Sequence, residues 1–212
     1  MTPSVSPRVA AIIDKVKLKL EYAEPLFVFC MYDSSLNAEA WREETSNGPV
    51  GDVRITSSAL EALDDDELTY LIGHEMGHLI FKNDEWGNLK QDTGENGKYK
   101  TRLPLMGDQL YRKWSQMKEI TADRMGLIAS ENLEASLKAQ IKVSYGLSGK
   151  NIAIDAIDSL LHQIEEIKDD EIVEGDDTLS HPIDHIRLKA LQLFGKAYLN
   201  GERESFREGD DE

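Results

Sequence analysis

Two histidines four residues apart constrain this chain more than any other feature of its sequence. His74 and His78 enclose Glu75 in the segment His-Glu-Met-Gly-His, within a largely apolar stretch. Residues four apart on a helix lie one turn apart on the same face, so a helix here would direct both imidazoles to one side. The segment therefore predicts two metal ligands on one helix. The alternative, two histidines facing solvent or core acceptors, is disfavoured because both would lie among apolar neighbours.

A metal ion held by these histidines needs a further protein ligand, because catalytic zinc sites use three protein ligands and keep one position open. Downstream, Glu119 and Asp123 stand four residues apart on one face of another predicted helix. Either carboxylate can complete the site, or the two can form an ordinary surface pair. Glu75 adjoins the first histidine, where a carboxylate can take a proton from metal-activated water, so it is the predicted general base.

The remaining patterns predict an α+β chain that is mostly helical, with a small early β-sheet. Asp64 and Glu67 form a capping box that starts the metal-binding helix, expected over about 65–82. The third ligand is expected on a helix over about 108–131. Strands are expected at 26–32 and 53–56, a polar loop at 83–107, and further helices at about 7–23, 133–145, 152–168 and 182–199. One domain, 1–201, and an acidic tail, 202–212, account for the chain.

Composition excludes several partners. The formal net charge of −16 over 212 residues disfavours nucleic acid, whose phosphates need clustered lysine and arginine. No apolar run is long enough to cross a membrane, and charged residues in the first twenty positions disfavour a signal peptide. The single cysteine, Cys30, is expected to be a buried, inert thiol. We therefore expect a soluble, cytoplasmic protein with no membrane insertion.

The order of these motifs resembles the gluzincin peptidases that include the heat-shock membrane protease HtpX and the type I CAAX prenyl protease. The resemblance covers most of the chain and rests on five segments, which are Asn37-Ala38, the strand 51–56, the HEMGH motif, Glu119-Ile-Thr-Ala-Asp123 with Gly126, and His181-Pro182 with Arg187. It implies a zincin-like metallopeptidase fold. The membrane helices of the family's best-known members are absent from the sequence, so only the chemistry carries over.

The resemblance also implies roles for individual residues. Glu119 would be the third zinc ligand, and Asp123 would hold a ligand histidine by its other ring nitrogen. His181 would face the active site, where it could stabilise an oxyanion or occupy the open zinc position in a latent form. Arg187 would bind a carboxylate, either Asp123 or the reaction intermediate. His162 and His185 match nothing in the family and are expected at the surface or in packing.

The resemblance further implies a peptide substrate. The strand 51–56 is similar to the family's edge strand above the metal-binding helix, where an extended peptide can pair as an additional strand. The predicted substrate-binding residues are Val53, Arg54, Ile55 and Thr56.

The sequence therefore predicts a zinc-dependent endopeptidase with one catalytic zinc ion, which cobalt or manganese could replace in vitro. It acts on peptide or unfolded-protein substrates. Two alternatives remain at this point. One is a non-catalytic, zinc-stabilised peptide-binding protein, favoured if His181 closes the metal site, and the other is a helical scaffold without metal.

Overall fold

The structure is a computed structural model that describes residues 1–2, 4–81, 105–147, 159, 162–163 and 184–199. Within the range 105–147, side chains are described from residue 113 onward. The predicted loop 83–107 falls almost entirely outside the described residues, as do most of the predicted helix 152–168, His181 and the acidic tail 202–212.

The described chain is mixed α+β and mostly helical. Its elements in chain order are α1 (Pro7–Lys19), β1 (Leu26–Met31), β2 (Ala38–Thr45), β3 (Gly48–Thr56), α2 (Ser57–Ala62), α3 (Asp65–Ile80), α4 (Leu105–Ser130), α5 (Leu133–Tyr145) and α6 (Asp184–Leu199). The predicted first strand and α5 agree closely with these bounds. The first helix ends four residues earlier than expected, where its Leu20 cap leads into Glu21 with a positive φ of 52°. Strand β2 and the short helix α2 were not predicted.

The three strands form one sheet in the order β1-β3-β2. β3 pairs in parallel with β1 and antiparallel with β2, so both of its edges are hydrogen-bonded. The prediction that the strand 51–56 lies at an edge of the sheet is therefore wrong. The prediction failed because it did not include β2, whose polar sequence Ala-Glu-Ala-Trp-Arg-Glu-Glu-Thr shows no apolar pattern typical of a strand.

Helix α3 lies between two apolar clusters, which is why most of its residues are buried. On one side it packs with α1 and the sheet, through residues such as Val16, Val53 and Ile72. On the other side Tyr70 packs with apolar residues of α4, α5 and α6. This central position explains how polar side chains on α3 are held away from bulk water.

Cys30 departs from its prediction, because its side chain is exposed. It belongs to β1, which lies at one edge of the sheet, and Val28 is the buried residue of that strand. The apolar run 26–31 is thus only partly covered.

In the part of the chain that the structure describes, no helix is both long enough and apolar enough to span a membrane.

Candidate metal centre

Helix α3 supplies two histidines and begins where the sequence predicts. The Asp64 side chain accepts a hydrogen bond from the Glu67 amide at 2.9 Å, and the Glu67 carboxylate accepts one from the Asp64 amide at 2.9 Å. This capping box satisfies two amides that would otherwise lack partners at the helix start. The same carboxylate also binds Lys142 on α5 at 2.6 Å, which ties the start of α3 to its neighbour.

A glycine contact lets α3 and α4 approach closely. A Cβ atom built on Gly73 would lie 2.6 Å from the Ala129 Cβ and 3.0 Å from the Gly126 Cα. A Cβ on Gly126 would in turn lie 2.7 Å from the Tyr70 carbonyl oxygen. Larger residues would separate the helices, so these glycines bring the carboxylates of α4 against the histidines of α3.

His74, His78 and Glu119 each direct one donor atom to a common point, and these atoms all lie within 4.8 Å of one another. The two Nε2 atoms are 3.2 Å apart. The Glu119 Oε2 atom lies 3.8 Å from His74 Nε2 and 3.9 Å from His78 Nε2. Among the described residues this is the one such group of potential ligands.

This donor set fits zinc. Two imidazole nitrogens and a carboxylate oxygen are typical ligands of a catalytic zinc ion, and tetrahedral ligands at 2.0–2.1 Å lie about 3.3 Å from one another. The nitrogen pair matches that spacing, and the carboxylate needs to approach by only about 0.5 Å. Burial holds the pKa of His78 well below its usual value, which keeps this imidazole neutral, the form that binds metals.

Glu75 lines the same cavity as the three potential ligands, and 6% of its surface is exposed. Burial raises the pKa of Glu75 to about 7, and the carboxylates of Glu119 and Glu39 add to the rise against the opposing effect of His74. A carboxyl group with a pKa near neutrality can both accept and return a proton.

Asp123 lies behind His74 and is 1% exposed. Its Oδ1 atom is 2.9 Å from His74 Nδ1, the ring nitrogen that faces away from the potential metal position. Arg187 donates to both carboxylate oxygens, from Nη2 at 2.7 Å and from Nε at 2.9 Å. Burial alone would raise the pKa of Asp123, but the Arg187 charge and hydrogen bonds outweigh it and hold that pKa well below its usual range.

Asp123 and Arg187 also influence the potential metal ligands His74 and Glu119. Burial tends to lower the pKa of His74, but the adjacent Asp123 carboxylate more than offsets burial and leaves that pKa raised. Arg187 also lies near Glu119, with 3.7 Å between its Nη1 and the Glu119 Oε2. Of the two partners anticipated for Arg187, the structure places Asp123 in direct contact.

Sequence reasoning missed two buried polar residues beside Asp123. Tyr70 donates to Asp123 Oδ1 at 3.0 Å, and its hydroxyl also contacts the Gln140 side-chain amide. Tyr70 precedes His74 by four residues, so its position on the ligand face could have been read from helical spacing. Gln140 lies on α5, and nothing in the sequence predicts which neighbour its face meets.

A cavity of about 290 Å³ opens over these groups. Besides the potential ligands, its lining includes Asn37, which precedes β2, Ala38, the first residue of β2, and Leu71, Gln140, Val143 and Arg187 from the helices. The strand that reaches the cavity is therefore β2, which contacts α3 more extensively than β3 does.

The residues predicted to bind substrate lie elsewhere. Val53, Ile55 and Thr56 are buried in the sheet, and Arg54 stacks on the Trp41 ring at 4.0 Å on the outer face. None of the four lines the cavity. His162 and His185 are exposed.

Comparison with known protein families adds an independent observation. Residues 3–93 match the model of peptidase family M48. The matched segment includes the sheet and the whole of α3, with His74, Glu75 and His78, and it ends before α4. This similarity supports a metallopeptidase function. Comparison with curated proteins gives no match.

Proposed function

We propose that this protein is a zinc-dependent endopeptidase of the gluzincin type with a zincin-like fold. The observation that carries the proposal is the convergence of His74, His78 and Glu119 at one point, with Glu75 in the same cavity. The match to peptidase family M48 covers His74, Glu75 and His78, and it supports the proposal independently. A zinc ion held there would act as a Lewis acid that activates water and polarises a peptide carbonyl.

The protein's own residues divide the remaining work. Glu75 accepts a proton from the attacking water and returns it to the amine that leaves. Asp123 orients the His74 ring through Nδ1 and leaves Nε2 directed at the metal position. Arg187 holds Asp123 ionised, and its charge beside the cavity lowers the cost of negative charge that develops on the substrate.

The substrate in this proposal is an extended peptide that lies along β2. Among the described strands, β2 forms the edge of the sheet nearest α3, and its first residue, Ala38, lines the cavity together with the preceding Asn37. An unpaired edge offers backbone donors and acceptors to a peptide of any sequence. We therefore expect unfolded proteins to be better substrates than folded ones.

The proposal is tested by incubating the zinc-loaded protein with casein beside a Glu75→Gln variant. The wild type should cleave casein. The variant should lose activity by a factor of about 100 or more, because general base catalysis alone contributes that much. It should keep its zinc, since Glu75 is not one of the three ligands.

Two results would count against the proposal. Equal activity in both proteins would mean either that Glu75 is not the general base or that a contaminating protease cleaves the casein. Zinc binding without cleavage by the wild type would favour a peptide-binding protein, and no zinc binding would favour a scaffold.

A further inference from the structure

The Asp123 carboxylate has more polar contacts than it needs to support His74 as a metal ligand. Besides His74 and Arg187, it accepts a hydrogen bond from Tyr70, whose hydroxyl also contacts Gln140. Tyr70 and Gln140 are 2% and 3% exposed, so both contacts lie largely away from bulk water.

The Gln140 amide has one orientation that satisfies both of its ends. Its nitrogen then donates to Asp123 Oδ1 at 3.1 Å, and its oxygen accepts from Arg187 Nε at 3.0 Å and from Nη2 at 3.3 Å. A side-chain amide carries a donor and an acceptor side by side, so it can bind a carboxylate and a guanidinium together. It adds no charge to the pair.

Tyr70 complements this arrangement from α3. Burial and the neighbouring Asp123 raise the pKa of Tyr70 well above its usual value, which keeps the hydroxyl protonated and able to donate. The ring itself packs among apolar residues of the second core cluster. Its hydroxyl is therefore fixed in position by packing as well as by hydrogen bonds.

We propose that Tyr70 and Gln140 are positioning residues that fix the Asp123 carboxylate between His74 and Arg187, and thereby set the affinity of the site for zinc. This inference rests on the proposed function only in taking His74 as a zinc ligand. It requires no substrate and no turnover. Partners of ligand-supporting groups can change metal affinity because an incorrectly oriented imidazole binds less tightly.

The variants Tyr70→Phe and Gln140→Leu test this proposal, because both retain most of the side-chain volume and remove the polar atoms. Each should weaken zinc binding by about 10-fold or more, the lower end of the range for groups that support ligands. Zinc affinity is measured by competition with a chelating indicator. The visible spectrum of the cobalt-substituted protein should also change, because it reports the geometry of the ligands.

Gln192→Leu is the matched control. Gln192 is a similarly buried glutamine on α6 that does not line the cavity. Its replacement should leave zinc affinity within about two-fold and the cobalt spectrum unchanged, whatever the accompanying change in thermal stability.

The outcomes separate this proposal from the proposed function. Wild-type zinc affinity and an unchanged cobalt spectrum in both variants would overturn the positioning role while leaving the metallopeptidase intact. Equal loss of affinity in the Gln192→Leu control would also overturn it, since the effect would then follow stability. A wild-type protein that binds no zinc would overturn both.

Discussion

At the scale of single residues, the central feature is a charge pair in which Asp123 is buried and Arg187 is partly buried. Asp123 and Arg187 face each other with two hydrogen bonds, and burial makes each depend on the other. Removing one partner of such a pair is strongly destabilising because it leaves an uncompensated charge away from water. We therefore expect the loss of either partner alone to destabilise the fold even without a metal ion.

We predict that Arg187→Met lowers the free energy of unfolding of the metal-free protein by about 3–5 kcal/mol. A double variant, Asp123→Leu with Arg187→Met, should lose less than the sum of the single effects, since no unpaired charge remains. Urea unfolding in the presence of a chelator measures both.

Lys138→Met supplies the control for this experiment, because Lys138 pairs with Glu134 at 2.5 Å on the surface of α5. The Lys138→Met substitution should lower the free energy of unfolding by less than about 1 kcal/mol. If Lys138→Met and Arg187→Met lowered the free energy of unfolding by similar amounts, burial of Asp123 would not increase the cost of removing its partner.

At the scale of helices and strands, the site depends on how closely α3 and α4 pack. The helical periods of the two segments place the histidines on one face of α3 and the carboxylates on one face of α4. The distance between those faces is set by Gly73 and Gly126, where an added Cβ meets backbone and Cβ atoms of the other helix. Helix packing at this contact thus determines whether Glu119 reaches the metal position.

We predict that Gly73→Ala destabilises the protein by about 1–3 kcal/mol through overpacking, although alanine favours helix formation by about 1 kcal/mol over glycine. It should also weaken zinc binding, because α4 must move outward with Glu119. Thermal unfolding and chelator competition measure the two effects.

Gly195→Ala on α6 is the appropriate comparison. There the nearest atoms to an added Cβ belong to the Leu133 and Leu127 side chains, which can move. Zinc affinity should be unchanged in this variant. A Gly73→Ala protein with normal zinc affinity would contradict the packing argument.

At the scale of the whole molecule, the candidate site joins three separate parts of the sequence. Helix α3 supplies His74 and His78, α4 supplies Glu119 and Asp123, and α6 supplies Arg187. A metal ion that binds the folded chain and not the unfolded one therefore stabilises the folded state, by an amount that rises with the logarithm of the free metal concentration divided by the dissociation constant.

We predict that free zinc at about 100 times its dissociation constant stabilises the protein by about 2.7 kcal/mol. For a chain of this size that corresponds to a rise in Tm of about 5–10 °C. Differential scanning fluorimetry with zinc and with a chelator measures the shift. The His78→Ala protein should show little of it, and an equal shift in that variant would place the zinc elsewhere.

The sequence by itself determined the local features of this protein. The Asp64 capping box predicts the start of α3, and helical spacing predicts that His74 and His78 share a face, because both depend only on residues a few positions apart. The selection of Glu119 over Asp123 as the metal ligand came instead from a family resemblance, since the two carboxylates are equivalent in helical spacing.

Only the tertiary structure decided which distant groups meet. It placed β3 in the middle of the sheet and β2 at the edge nearest α3, because strand order depends on pairing between segments and not on the apolar pattern of either strand. It likewise brought Gln140 to Asp123 and Arg187, through the packing of α5 against α3. Strand order and buried polar partnerships arise from contacts across the fold, for which local sequence carries no periodic signal.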